Sequence, residues 1–298
     1  MLSKFRFSIL ILVVLLIVCA CKDLHESKAK TTTSTNYQTM IHNGQIREYI
    51  LYVPASYSGS ESVPLLFNFH GFGGNATDFM READMRTVSD SEGFILAYPQ
   101  GTLLGGLPHW NAAPNGADSK SSADDLGFIE ALIDELAASY NLNLERIYAC
   151  GFSNGGMFSY ALACHKSNLF AAVGSISGTL LETGCAPEHP TAIINIHGTN
   201  DIVLPYFGSP SFNSVEWALN YWKTYNNTNS SPLIHTENSD GTTIERYNYD
   251  QGDNGVSVVH YKIIDGEHDW FNLNYQGQSM ENLIWSFLSK HDINGSTN

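Results

Sequence analysis

Apolar and polar positions follow two rhythms along this chain. Residues 37–54 alternate around Asn43-Gly44, which is a hairpin signal. Short apolar runs at 63–70 and 94–98 read as buried strands. Between them, residues 77–90 predict a helix with Phe79, Met80, Ala83 and Val88 on its apolar side, stopped by Gly93. Residues 99–122 keep neither rhythm and are rich in Gly, Pro, Asn and Ser. A loop of that length in a compact domain is either functional or disordered. Residues 124–140 are helical by spacing, with Leu126, Ile129, Ile133, Leu136 and Ala137 on one face. Ser121 or Ser122 is expected to cap this helix, with Asp124 and Asp125 at the positive end of its dipole. Strands then follow at 147–152, 172–177, 192–197 and 256–264, and helices at 154–164, 214–225 and 280–290. Residues 233–249 are polar and alternating, with a turn expected at Asp240-Gly241.

Short apolar strands separated by helices imply βαβ units. The expected fold class is α/β, a mostly parallel central sheet with helices on both faces and the opening hairpin adding antiparallel strands at one edge. Residues 37–298 are expected to form a single domain. In such sheets the chemistry gathers beyond the carboxyl ends of the strands, so the residues that follow each strand matter most.

Gly151-Phe152-Ser153-Asn154-Gly155 follows a strand and opens a helix. That context fits a nucleophile elbow, whose serine sits on a turn so tight that its neighbours must be small. A serine hydroxyl needs a base to take its proton. In this arrangement an acid and then a histidine follow along the chain. Asp201, on the loop after the 192–197 strand, is the acid by position, although a plain turn former would also suit that loop. Asp240, Asp250 and Asp253 fall in the polar stretch and are poorer candidates. His268, after the last strand, is the base, with Asp201 orienting its imidazole. His42, His165 and His291 are misplaced for that role. Oxyanion donors are expected from the backbone amides of Asn154 and Phe72, with Gly73 close behind, and His70 is expected to brace that loop. Trp110 and Trp270 are candidate substrate-binding residues, because an aromatic face can stack on a phenolic acyl group or a sugar ring. No histidine–cysteine cluster has zinc spacing and no glycine loop has phosphate-binding form, so no metal and no cofactor is expected.

Five stretches carry a resemblance. They are His70-Gly71-Phe72-Gly73-Gly74, Ala123-Asp124-Asp125-Leu126-Gly127-Phe128-Ile129, residues 146–157, His197-Gly198-Thr199-Asn200-Asp201, and Glu267-His268-Asp269-Trp270. Together they span about residues 37–290, and in them the chain resembles the polyhydroxybutyrate depolymerase-like and feruloyl esterase group of α/β-hydrolases, including esterase lipoproteins. The resemblance implies an α/β-hydrolase fold and Ser153, Asp201 and His268 as a catalytic triad. Phe-Ser-Asn around the serine is closer to the feruloyl esterases than to the usual polyester depolymerase form. Many relatives carry glycine before the histidine, where this chain has Glu267.

Composition adds the compartment. Lys4 and Arg6 precede an apolar run from Ile9 to Val18, too short to span a membrane, so residues 1–20 read as a signal peptide. Val18-Cys19-Ala20-Cys21 resembles the lipobox of bacterial lipoproteins, which implies lipidation of Cys21. Residues 21–36 then form a flexible tether. Lys22-Asp23 looks like the export tag of some Gram-negative surface lipoproteins. The expected location is therefore extracytoplasmic, lipid-anchored at the outer membrane or cell surface. Net charge is −15, and −17 without Lys4 and Arg6. That balance disfavours nucleic acid and anionic lipid as partners and suits a neutral polymer. Of the cysteines left in the domain, Cys150 sits in an apolar run as a small hydrophobe, and Cys164 and Cys185 are expected to pair. The resemblance implies the same disulfide. The resulting expectation is a monomeric serine carboxylesterase that releases ferulate or a related acyl group from plant polysaccharide. The alternatives are a short-chain polyester depolymerase, an acetyl xylan esterase, or a non-catalytic glycan-binding lipoprotein on the same scaffold.

Overall fold

A computed structural model describes residues 37–114, 121–182, 184–239 and 241–297. The expected signal peptide, Cys21 and the tether lie outside those residues, as does Asp240. The opening hairpin pairs β1 (Gln38–His42) with β2 (Gln45–Tyr52). Asn43 and Gly44 have φ of 50° and 76°, the two left-handed positions that a two-residue turn of this hand requires. After β3 (Val63–Phe69), the single helix expected over 77–90 is two helices, α1 (Ala76–Glu82) and α2 (Arg86–Glu92). The buried Tyr98 hydroxyl causes the break. It donates to the Ala83 carbonyl at 2.7 Å and accepts from the Met85 amide at 3.2 Å, replacing helical partners with a side chain.

Next come β4 (Ile95–Pro99) and, inside the stretch expected to be irregular, a small hairpin of β5 (Thr102–Leu104) and β6 (Leu107–His109). Its turn is Gly105-Gly106, both at positive φ. Helix α3 (Asp125–Ser139) is capped by Asp124, which accepts from the Gly127 amide, not by Ser121 or Ser122 as expected. Ser121 instead meets His109 Nε2 at 2.7 Å. The main elements that follow are β7 (Leu142–Phe152), α4 (Asn154–His165), β8 (Ala172–Ile176), β9 (Ala192–Gly198), α5 (Val215–Tyr225), β10 (Leu233–Ser239), β11 (Thr242–Tyr249), β12 (Val258–Ile263) and α6 (Met280–Leu288), with two short hairpins of two-residue strands near the end.

Among the described residues ten strands form one sheet, in the order β1-β2-β4-β3-β7-β8-β9-β12-β11-β10. The six from β4 to β12 run parallel. Both edges are antiparallel, the far one built from the polar alternating stretch. This is the α/β-hydrolase arrangement that the sequence led us to expect. Alternate residues of the strands enter two cores: Leu65, Phe67 and Phe69 pack with α3, α4 and α5, while Leu66 packs with α1, α2 and α6. Residues 155–164 of α4 are all buried, because the sheet lies under the helix while Trp110 stacks on Phe158 and Trp222 on Tyr160. Cys164, near the end of α4, is joined to Cys185, and Cys150 is a buried free thiol whose pKa burial pushes up. From β3 the chain moves outward to β4, and from β7 it moves outward the other way. The loops leaving β3 and β7 therefore diverge, and a crevice opens between their carboxyl ends.

Candidate active site

Ser153 stands between β7 and α4 with φ 53° and ψ −117°. A non-glycine residue in such a region costs on the order of 1–3 kcal/mol and persists only where its surroundings impose it. Here its amide donates to the Ile176 carbonyl at 2.8 Å, and its carbonyl accepts from the Met157 amide at 2.9 Å. The flanking glycines are a matter of space. A Cβ on Gly155 would sit 2.1 Å from the Phe69 carbonyl oxygen, and one on Gly151 would sit 2.5 Å from the Gly155 backbone. The bend lifts the hydroxyl over the carboxyl edge of the sheet, at the first turn of a helix whose amides point toward it.

Asp201 follows β9 and is 3% exposed. Its Oδ1 accepts from the Val203 and Leu204 amides, each at 2.8 Å. Its Oδ2 lies 2.7 Å from His268 Nδ1, and His268 Nε2 lies 2.9 Å from Ser153 Oγ. An imidazole whose Nδ1 faces a carboxylate carries its proton there, which leaves Nε2 free to accept from the serine. Burial alone would push the Asp201 carboxyl up. Hydrogen bonding from His197, His268 and the Leu204 amide outweighs burial, and the group is held well below the usual carboxylate range. The loops carrying acid and histidine are fastened to each other: the Asn200 amide donates to the Gly266 carbonyl, and the Asp265 amide to Thr199 Oγ1, both at 2.8 Å. Ser177 Oγ adds a bond to the Asp269 carbonyl at 2.9 Å. Glu267, the departure noted in the sequence, is exposed.

The loop after β3 supplies the other wall. Gly73 gives its amide to the Pro108 carbonyl at 2.7 Å, and Gly74 gives its amide to the Gly71 carbonyl at 3.1 Å. The Phe72 and Asn154 amides donate to no other described residue. Of the two donors considered on this loop, Phe72 is therefore the one left available. His70 braces the loop from below. Its Nδ1 donates to the Gly71 carbonyl at 2.7 Å, and its Nε2 accepts from the Gly101 amide at 3.0 Å. Burial lowers the pKa of His70 to about 4.

Above Ser153 lies a cleft of about 820 Å³. Its apolar wall includes Phe72, Leu104, Met157, Leu181, Val203 and Phe212, and its polar wall includes His109, Asn111, Ser209 and Asn213. Among the described residues no Asp, Glu, Lys or Arg lines it. Trp110 borders the cleft but is only 2% exposed, and its indole N–H donates to the His70 carbonyl at 3.0 Å. Its ring stands edge-on to Phe69 and stacks on Phe158, so it anchors the wall. The expectation for Trp270 is corrected. It does not border the cleft, because the chain turns inward after His268. Its ring packs edge-on against Phe79, 5.5 Å away in the core shared with α6, and its indole N–H donates to Glu281 at 3.1 Å.

Two features escaped sequence reasoning. The Asn154 side chain clamps the backbone of Trp110, accepting its N–H at 2.7 Å and donating to its C=O at 3.0 Å. Asp125 forms a buried ion pair with Arg47 at 2.7 Å and accepts the Asn111 amide at 2.8 Å. Both hold the cleft wall, and both depend on partners far away in the sequence. Among the described residues no three His, Cys, Asp or Glu side chains converge as metal ligands would, and no helix is long and apolar enough to cross a membrane.

Comparison with known proteins follows the same lines. A family model described as Esterase PHB depolymerase matches residues 47–195, a span that contains Ser153 but neither Asp201 nor His268. A probable feruloyl esterase C of Aspergillus clavatus is 31% identical over 246 residues, 81% of this chain and 83% of that protein. A bifunctional acetylxylan esterase/xylanase of Neocallimastix patriciarum is 27% identical over 254 residues, 85% of this chain; the chain spans 34% of that protein's length. Among solved structures, an acetyl xylan esterase from Aspergillus awamori shares the fold, with a TM-score of 0.61 at 15% identity over 85% of this chain and 99% of the other.

Proposed function

The chain belongs to the Esterase PHB depolymerase family, and on that premise we propose that it is a serine carboxylesterase acting through Ser153, His268 and Asp201. The observation that carries this reading is the unbroken hydrogen-bonded chain from Ser153 Oγ through His268 to a buried Asp201. Ser153 Oγ attacks the ester carbonyl while His268 Nε2 takes its proton. The carbonyl oxygen, now an oxyanion, accepts from the Phe72 and Asn154 amides. The tetrahedral intermediate collapses, and the imidazolium returns the proton to the departing alcohol, leaving an acyl group on Ser153. A water molecule gives a proton to His268 and attacks that acyl carbonyl. The second collapse releases the carboxylic acid and restores the hydroxyl. Asp201 stays ionised throughout and holds the imidazole in place.

The substrate we propose is a neutral ester of plant polysaccharide, with ferulate or a related hydroxycinnamate as the acyl group. A largely apolar cleft of about 820 Å³, lined by no Asp, Glu, Lys or Arg among the described residues, suits a flat aromatic acid, and a probable feruloyl esterase and an acetylxylan esterase are named among the relatives. Residues 1–20 as signal, Cys21 as lipid attachment, residues 21–36 as tether and 37–298 as one catalytic domain complete the proposal. With them we propose a monomeric enzyme held outside the cytoplasm by a lipid. The test is twofold. A fluorophosphonate probe should label the wild-type chain and not Ser153→Ala; equal labelling of both removes the proposed nucleophile. Acid release should be faster from methyl ferulate than from hydroxybutyrate oligomers or acetylated xylan; the reverse order keeps the esterase and discards the substrate.

A further inference from the structure

His197 is the penultimate residue of β9 and is completely buried. It faces the turn that carries Asp201. Its Nε2 lies 2.9 Å from the Leu204 carbonyl, and Asp201 Oδ2 stands 3.2 Å to the side. Both neighbours are acceptors, so Nε2 carries a proton. Nδ1 is buried without a partner among the described residues. A second N–H there would be an orphan donor, so this nitrogen keeps its lone pair. Leu204 in turn gives its amide to Asp201 Oδ1 at 2.8 Å. One imidazole N–H therefore governs both the carbonyl that closes the acid turn and the outer carboxylate oxygen. Asp201 Oδ2 is left between two imidazoles, with His268 Nδ1 at 2.7 Å on its other side.

We propose that His197 is a positioning residue for this reaction, fixing the turn and rotation of Asp201 so that Oδ2 stays on His268. The proposal rests on the Ser-His-Asp reading above. A carboxylate rotates easily about its last bond. The Val203 and Leu204 amides hold Oδ1 and so set that rotation, and His197 closes the turn that supplies them at the Leu204 carbonyl; among the described residues Oδ2 has no hydrogen-bond or ion-pair partner besides His268 and His197. A loose carboxylate would let the imidazole drift, and a drift of about 1 Å in such an array costs up to roughly a hundredfold in rate.

Steady-state hydrolysis of p-nitrophenyl acetate by the full chain tests this. His197→Leu is expected to lower kcat by roughly tenfold to a hundredfold while KM changes less than about twofold. His197→Gln, whose amide N–H has a similar reach, should recover most of that loss. In an Asp201→Asn background, His197→Leu should cost nothing more, since the residue it acts through is already disabled. A wild-type kcat in folded His197→Leu, or a loss that adds in full to that of Asp201→Asn, overturns the proposal. If the leucine variant does not fold, the imidazole 15N spectrum of the wild-type chain decides. His197 should show the Nε2–H tautomer that its two acceptors require, and an Nδ1–H form overturns the proposal. Ser153→Ala is assayed beside these variants. Activity left in Ser153→Ala removes the esterase reading itself, whereas loss there with an unaffected His197→Leu removes only the role of His197.

Discussion

The two halves of the candidate site are held by different forces. On the β3–β7 side, Ser153 is fixed by lack of room: the backbones of Phe69, Gly151 and Gly155 approach so closely that no side chain fits between them. On the β9–β12 side, Asp201 and His268 sit on longer loops, and hydrogen bonds fix them: two amides on Oδ1, two imidazoles at Oδ2, and backbone ties between the loops. Steric fixing is local and tolerates almost no substitution. Hydrogen-bonded fixing is distributed, and isosteric changes should alter the chemistry while leaving the fold standing. That contrast can be broken by experiment.

The largest effect should come from the hydrogen-bonded half. Asp201→Asn keeps the shape and the two amide bonds but removes the charge that selects the imidazole tautomer. It is expected to lower kcat by about 10⁴-fold while the chain still folds, at a melting temperature lowered by loss of the charge-assisted bonds to the buried carboxylate. A chain that no longer folds would mean that this half is as intolerant of substitution as the other. Gly155→Ala probes the steric half. Its Cβ would meet the Phe69 carbonyl at 2.1 Å, and backbone cannot yield as a side chain can. The expected cost is about 3 kcal/mol or more, read as a lower urea midpoint; an unchanged midpoint would refute the packing argument. Asn154→Ala removes two bonds to the Trp110 backbone and should cost about 2 kcal/mol. KM should rise as the cleft wall loosens, and a KM equal to wild type would sever the clamp from the cleft.

The smallest effect concerns acid. Burial lowers the pKa of His70 and His291 to about 4 and that of His260 to about 3. These groups stay neutral in the folded chain, while the unfolded chain binds protons below about pH 6.5. Their contribution to stability is therefore complete above that pH and is lost as pH falls toward 4. Each should add on the order of 1 kcal/mol per pH unit to the slope. His70→Gln, on the steric side, should flatten that slope by one histidine's share, as measured by urea melts from pH 6.5 to 4.5. An unaltered slope would mean that His70 is not buried neutral.

The same contrast explains what could be read in the chain beforehand. Gly151-Phe152-Ser153-Asn154-Gly155 was legible because its constraint is local, a bend that only those sizes satisfy. Asp201 and His268 were legible as positions after strands, and the structure brings both to Ser153. The rest depended on residues far away in sequence. The break at residues 83–85 is made by the Tyr98 hydroxyl from the next strand. Ser121 and Asp124 are equally good caps by type, and His109 decided between them by engaging the serine. An aromatic face suits Trp270 to a cleft, but residue type in a loop does not say which way the chain turns, and its ring enters the core. The polar alternation of residues 233–249 marked a hairpin, but not that it would form the far edge of the sheet.

The bridge between Cys164 and Cys185 bears on how the protein is best produced. It closes a 21-residue span between the helix behind Ser153 and the segment entering the strand that delivers Asp201. Closing a span of that length restricts the denatured ensemble by about 3 kcal/mol. Material made in a reducing cytosol would forgo that restriction, and the two segments would be held only by packing and the β7-β8-β9 ladder. Export to an oxidising compartment would then act as a maturation step that adds a covalent cross-tie between the segments bearing Ser153 and Asp201.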